Sequence, residues 1–66
     1  MTNHFDALFQ QDGEWIIGYC PEVPGANGQG RTLQECRDSL AEAISLLFED
    51  QGISLDPTTI LFNQEI

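Results

Sequence analysis

Positive charge is almost missing from this sequence. There is no lysine, the only cations are Arg31 and Arg37, and eleven acidic residues bring the formal net charge to -9 with a single histidine, His4. Such a chain has no basic patch with which to neutralise phosphates, which argues against direct nucleic-acid binding. The same charge disfavours an anionic membrane surface and steers basic proteins toward the chain. No apolar run is long enough to cross a bilayer and no secretory leader is visible. Two cysteines are too few for a disulfide framework, and no ligand spacing accompanies them, so a cytoplasmic protein with reduced thiols and no metal or cofactor is expected. Repeats, low-complexity tracts and linkers are also missing, and the 66 residues, 1–66, read as one domain. A chain of this size buries only about 60% of the surface it exposes when unfolded. Self-association is the usual remedy, and a homo-oligomer, at least a dimer, is expected.

What is present is well patterned. Residues 4–10 and 15–20 are rich in aromatic and aliphatic side chains and flank Asp12-Gly13, a dipeptide suited to the positive-φ turn of a hairpin. With Asp12-Gly13 as a two-residue loop, the strands pair Phe9 with Ile16, Ala7 with Gly18 and Phe5 with Cys20 on one face. The small side at Ala7 and Gly18 lets a helix lie close. Leu8, Trp15, Ile17 and Tyr19 then share the other face with Asp6, and nothing obvious covers them. Pro21 to Gly25 cannot extend the ladder and must turn, and residues 26–30 form a third strand of low propensity.

Thr32-Leu-Gln-Glu35 is a capping box, in which Thr32 accepts from the Glu35 amide and Glu35 reaches back to the Thr32 amide. The helix that follows carries Leu33, Cys36, Leu40, Ala43, Ile44 and Leu47 on one stripe. It should end near Asp50 with Gly52 as its cap. Asp56-Pro57 breaks the chain, and residues 59–63 are β-prone. The fold class is α+β, in the order β-β-β-α-β, with one helix packed on one face of a small sheet.

The run from Gly18 through Tyr19, Cys20, Pro21, Glu22, Val23 and Pro24 to Gly25, the segment from Gln29 to Glu35 and the helix through Ala41-Glu-Ala-Ile44 together resemble the HicB-like antitoxin family. The resemblance covers residues 5–47. It implies a partly degenerate ribonuclease-H-like fold that binds and neutralises a small basic RNA-cleaving toxin of the HicA type. Many family members carry a C-terminal DNA-binding domain, and this sequence has no room for one, so an operator-binding role is not expected. Asn27 and Gly28 depart from the more apolar third strand of the family, and Arg31 stands where an acid is common.

The function that follows is occlusion of a basic partner by a module that is not an enzyme. The candidate partner or oligomer interface is Leu8, Trp15, Ile17 and Tyr19 on the uncovered face, with the loop Pro21, Glu22, Val23, Pro24 and Gly25. Each has a plainer reading as well: the prolines and Gly25 serve turn geometry, and the aromatic face serves a copy of the chain. Thr32 and Glu35 are explained by capping, and Cys20 and Cys36 by the core. An orphan self-associating module without a toxin is the main alternative. A residual nuclease is a third, but it needs converging carboxylates, and Asp6 projects from the face opposite the helix that bears Glu35 and Glu42.

Overall fold

The computed structural model describes residues 3–65, with side chains through residue 63. β1 (Asn3–Asp12) and β2 (Trp15–Tyr19) form the expected antiparallel hairpin, followed by β3 (Asn27–Gly30), the helix α1 (Leu33–Asp50), a 3-10 turn (Pro57–Thr59) and β4 (Ile60–Glu65). The strands lie in one sheet in the order β3-β2-β1-β4. β2 and β3 pair antiparallel and β4 runs parallel to β1, so the chain crosses over the sheet through α1. This is the expected β-β-β-α-β order with one helix on one face.

The hairpin register differs from the sequence reading by two residues. Asp12 pairs with Trp15, Phe9 with Gly18 and Leu8 with Tyr19, so the loop is Gly13-Glu14 and not Asp12-Gly13. Gly13 has φ 63, and among the described residues no non-glycine residue has positive φ. Positive φ at the first loop residue alone is the pattern of a II′ turn, which needs glycine there, whereas the I′ turn expected of Asp-Gly needs both loop residues at positive φ. A two-residue shift preserves side-chain alternation, so both faces are composed as the sequence suggested.

The helix starts where the capping box places it. Thr32 is the N-cap and its hydroxyl accepts from the Glu35 amide at 3.1 Å. The reciprocal half is displaced by one residue, because the Glu35 carboxylate takes the amide of Arg31 at 3.3 Å and not that of Thr32. At the other end Gly52, with φ 81, donates to the Glu49 carbonyl at 2.9 Å and Ile53 donates to the Phe48 carbonyl at 2.9 Å. That pair of bonds is a Schellman motif, and it closes the last carbonyls of α1. The loop beyond is tied back by Ser45, whose hydroxyl donates to the Leu55 carbonyl at 2.6 Å.

Cys36, Leu40, Ala41 and Ile44 of α1 pack with Ala7, Cys20, Val23, Ala26 and Ile60 as the buried core. Phe5 meets Phe48, and Phe9 meets Phe62, edge to face with centroids 6.0 and 6.5 Å apart. The helix lies chiefly over β3 and β2, and the glycines beneath it explain how. A Cβ on Gly28 would stand 2.5 Å from the Leu40 amide nitrogen, and one on Gly30 would stand 2.6 Å from that of Cys36. The alternation Asn-Gly-Gln-Gly gives β3 a bare face on which the helix backbone rests. The same residues look poor for a strand by propensity alone.

Candidate protein-binding face

With α1 on one side, the other side of the sheet is left open. β2 runs through its middle and turns Trp15, Ile17 and Tyr19 outward, 41%, 37% and 43% exposed. Leu8, half-buried, lies opposite Tyr19 on β1. These four are the residues that alternation assigned to this side. The sequence reading missed two others. Leu61, 46% exposed, lies beside His4 because β4 pairs with β1, and no sequence signal specified that partner. Arg31, at the end of β3, stacks its guanidinium 5.3 Å from the centroid of the Trp15 ring. An exposed cation-π contact of this kind contributes about 0.5–1 kcal/mol.

The rim of the face is polar and mainly acidic. Asp12 pairs with Trp15 across the hairpin, and Asn27 and Gln29 on β3 lie opposite Tyr19 and Ile17. Asp6 accepts from the Asn63 amide group at 3.3 Å. The β1-β2 ladder ends at Leu8 and Tyr19, since Pro21 follows on β2, and the Glu22 carboxylate takes the Asp6 backbone amide left over there. Glu22 is thereby fixed at the edge of the face.

The loop from Pro21 to Gly25 consists of two successive turns. Val23 donates to the Cys20 carbonyl at 3.0 Å, and Ala26 donates to the Val23 carbonyl at 3.1 Å. In the second turn Pro24 supplies the fixed φ and Gly25, at φ 93, the positive one, which is the type II requirement. Pro21, Glu22, Pro24 and Gly25 are exposed, but Val23 is buried at 8% and belongs to the core. Its side chain anchors the loop from below, and only its four neighbours present themselves outward.

Cys20 and Cys36 are free and buried, as their core-facing positions suggested, and burial pushes both thiols above their ordinary value. Asp6 is on the open face, while Glu35 and Glu42 are on the exposed side of α1. Among the described residues no three His, Cys, Asp or Glu side chains gather closely enough to hold a metal ion. Among them, too, no helix is long and apolar enough to cross a membrane.

An extended apolar row on a rigid sheet with an acidic rim can bury aromatic surface against a partner and pair its charges at the border. Comparison with known proteins finds two relatives. The chain is 52% identical over 42 residues, 64% of its length, to a UPF0150 protein of Synechocystis, and the match spans 56% of that protein. It is 36% identical over 50 residues, 73% of its length, to a UPF0150 protein of Thermotoga maritima, and here the match spans 67% of the relative. The chain thus covers little more than half of the first relative. No family model and no solved structure matches it. On its match to two thirds of the Thermotoga protein, the chain belongs to the UPF0150 family.

Proposed function

We propose that this chain is a non-catalytic, antitoxin-like binding module whose open sheet face covers a small basic protein, of the HicA type of RNA-cleaving toxin, and thereby occludes its RNA-binding or active surface. The observation that carries the reading is the row Trp15, Ile17 and Tyr19 with Leu8, left uncovered on the face opposite α1 and bordered by Asp6, Asp12 and Glu22. Aromatic residues on a rigid surface are favoured anchors. The rim carboxylates and a net charge of -9 favour a cationic partner and speed its approach. A copy of the chain is the other occupant to weigh, as an orphan self-associating module would require. A two-fold contact through this face sets acidic rims against one another at short range, whereas a basic partner pairs them.

The experiment is inhibition of RNA cleavage. A small basic RNA-cleaving protein of the HicA type is assayed on RNA with wild-type chain, Tyr19→Glu and the solvent-exposed control Glu42→Gln. Wild type and Glu42→Gln should abolish cleavage at equal stoichiometry, and Tyr19→Glu should need at least about a tenfold excess, the equivalent of roughly 1.4 kcal/mol. Inhibition should weaken with added salt. Equal potency for Tyr19→Glu would refute the assignment of this face.

A further inference from the structure

The sheet has two edges, β3 and β4, and they are finished differently. Toward the end of β3 two outward amides are closed by the molecule itself: Gln29 donates to the Ser39 hydroxyl at 3.3 Å and Arg31, just beyond the strand, to the Glu35 carboxylate at 3.3 Å. Both acceptors come from α1, which leans over that end of the sheet. β4 lies at the end from which the helix is displaced. Among the described residues no strand and no side-chain oxygen closes its outer edge. A groove of about 500 Å³ runs along it instead, walled by Gln34, Arg37, Asp38 and Ala41 of α1 and floored by residues 60–63. In a parallel pair every second residue turns both its amide and its carbonyl away from the partner, so a six-residue edge strand offers an unfilled ladder.

We infer that this edge pairs with the same edge of a second copy, antiparallel about a two-fold axis, to form a continuous eight-stranded sheet. Antiparallel pairing of one strand with itself is self-complementary, which is the condition for a closed two-fold contact. The walls of the groove include residues of both signs, Arg37 and Asp38. The repulsion is between whole chains of charge -9. With a radius of gyration of 11.2 Å for each chain, their centres stand more than two Debye lengths apart at 0.15 M salt, where the length is about 8 Å. Self-association through β4 is therefore strengthened by salt. It also leaves the open faces of both copies exposed on the same side of the joined sheet. The inference does not depend on the toxin-binding reading, whose complex is weakened by salt.

Symmetric cross-linking tests it. Opposed residues in an antiparallel ladder point to the same face, so a two-fold axis normal to the sheet passes between a residue of β4 and the same residue of the copy. Leu61→Cys and Asn63→Cys, alone and mixed, cover an axis at residue 61, 62 or 63. Both positions are exposed, and the native thiols are buried, so new disulfides report on the edge alone. Leu61→Cys, Asn63→Cys or their mixture should form a rapid cross-link, while Tyr19→Cys on the open face should not. In sedimentation equilibrium the unmodified chain should dimerise, with a dissociation constant at least about threefold lower in 0.5 M than in 0.05 M sodium chloride. A monomer at all concentrations, a dimer that no β4 cysteine traps, or cross-linking through Tyr19→Cys would each overturn the inference.

Discussion

Replacing Gly28 by alanine should disturb this fold severely, because an added methyl group there has no room. A Cβ there would stand 2.5 Å from the Leu40 amide nitrogen and 2.8 Å from both the Cys36 carbonyl oxygen and the Leu40 Cα. All three atoms are helix backbone, so no side-chain rotation relieves the contact. The helix must lift by about 1 Å to restore ordinary van der Waals distances, and a gap of that size forfeits a quarter to a half of each dispersion contact beneath it. Cys36, Leu40 and Ile44, each 0% exposed, are the side chains that lose them. Overpacking of this kind costs about 1–3 kcal/mol, and the rigidity of the obstacle puts Gly28→Ala near the upper end. A chain of 66 residues has roughly 3–10 kcal/mol of stability in total, so the variant should be close to unfolding. Urea denaturation followed by circular dichroism measures the effect. With a slope of about 1 kcal/mol per molar, the midpoint should fall by roughly 2–3 M. Gly52→Ala is the comparison, because Gly52 has φ 81 and no atom within 4 Å of an added Cβ, leaving only a left-handed penalty of about 1 kcal/mol. If Gly28→Ala is no more damaging than Gly52→Ala, the close helix-to-sheet contact is refuted.

Three further outcomes follow from local geometry. Thr32→Ala removes the acceptor for the Glu35 amide and should cost about 1 kcal/mol by denaturation, with Thr32→Ser restoring most of it. Both thiols should resist alkylation in the native chain at pH 8 and react fully in denaturant, because burial disfavours their thiolates; fast native labelling would contradict the packing of Cys20 and Cys36. Asp56 is held below the usual carboxylate value by the Thr58 amide at 3.0 Å and the Thr58 hydroxyl at 2.8 Å. A depressed folded value means that its contribution is present above the unfolded pKa and is lost as pH falls through the folded one. Asp56→Asn should therefore flatten stability against pH in the acid range below about 4, and an unchanged acid limb would contradict the cap.

Much of this fold is legible in the sequence because its signals are local. Thr32-Leu-Gln-Glu35 and Gly52 bound the helix, and alternation sorts Leu8, Trp15, Ile17 and Tyr19 onto one face in both the expected and the observed register, because the two differ by two residues. The turn is ambiguous in the sequence because Asp12-Gly13 satisfies one turn type and Gly13-Glu14 another, and only cross-strand packing decides between them. The burial of Val23 was hidden by its place between two prolines in a loop. Gly28 and Gly30 looked like defects in a strand until α1 was seen to rest on them. The parallel partnership of β4 with β1 had no local signal, and with it the exposure of Leu61 and the free edge were out of reach.

The central claim is that the face around Trp15 is where a basic partner binds, and the chain provides its own probe, since Trp15 is its only tryptophan. Incorporating 5-fluorotryptophan into this chain alone gives a single fluorine resonance on the open face, beneath the Arg31 guanidinium and 41% exposed. Titration with a small basic RNA-cleaving protein of the HicA type should shift that resonance at one equivalent and shield it from an added paramagnetic quencher, with both effects reversed by high salt. A complex that forms, as judged by co-sedimentation, while the Trp15 resonance keeps its position and its quenching would contradict the account.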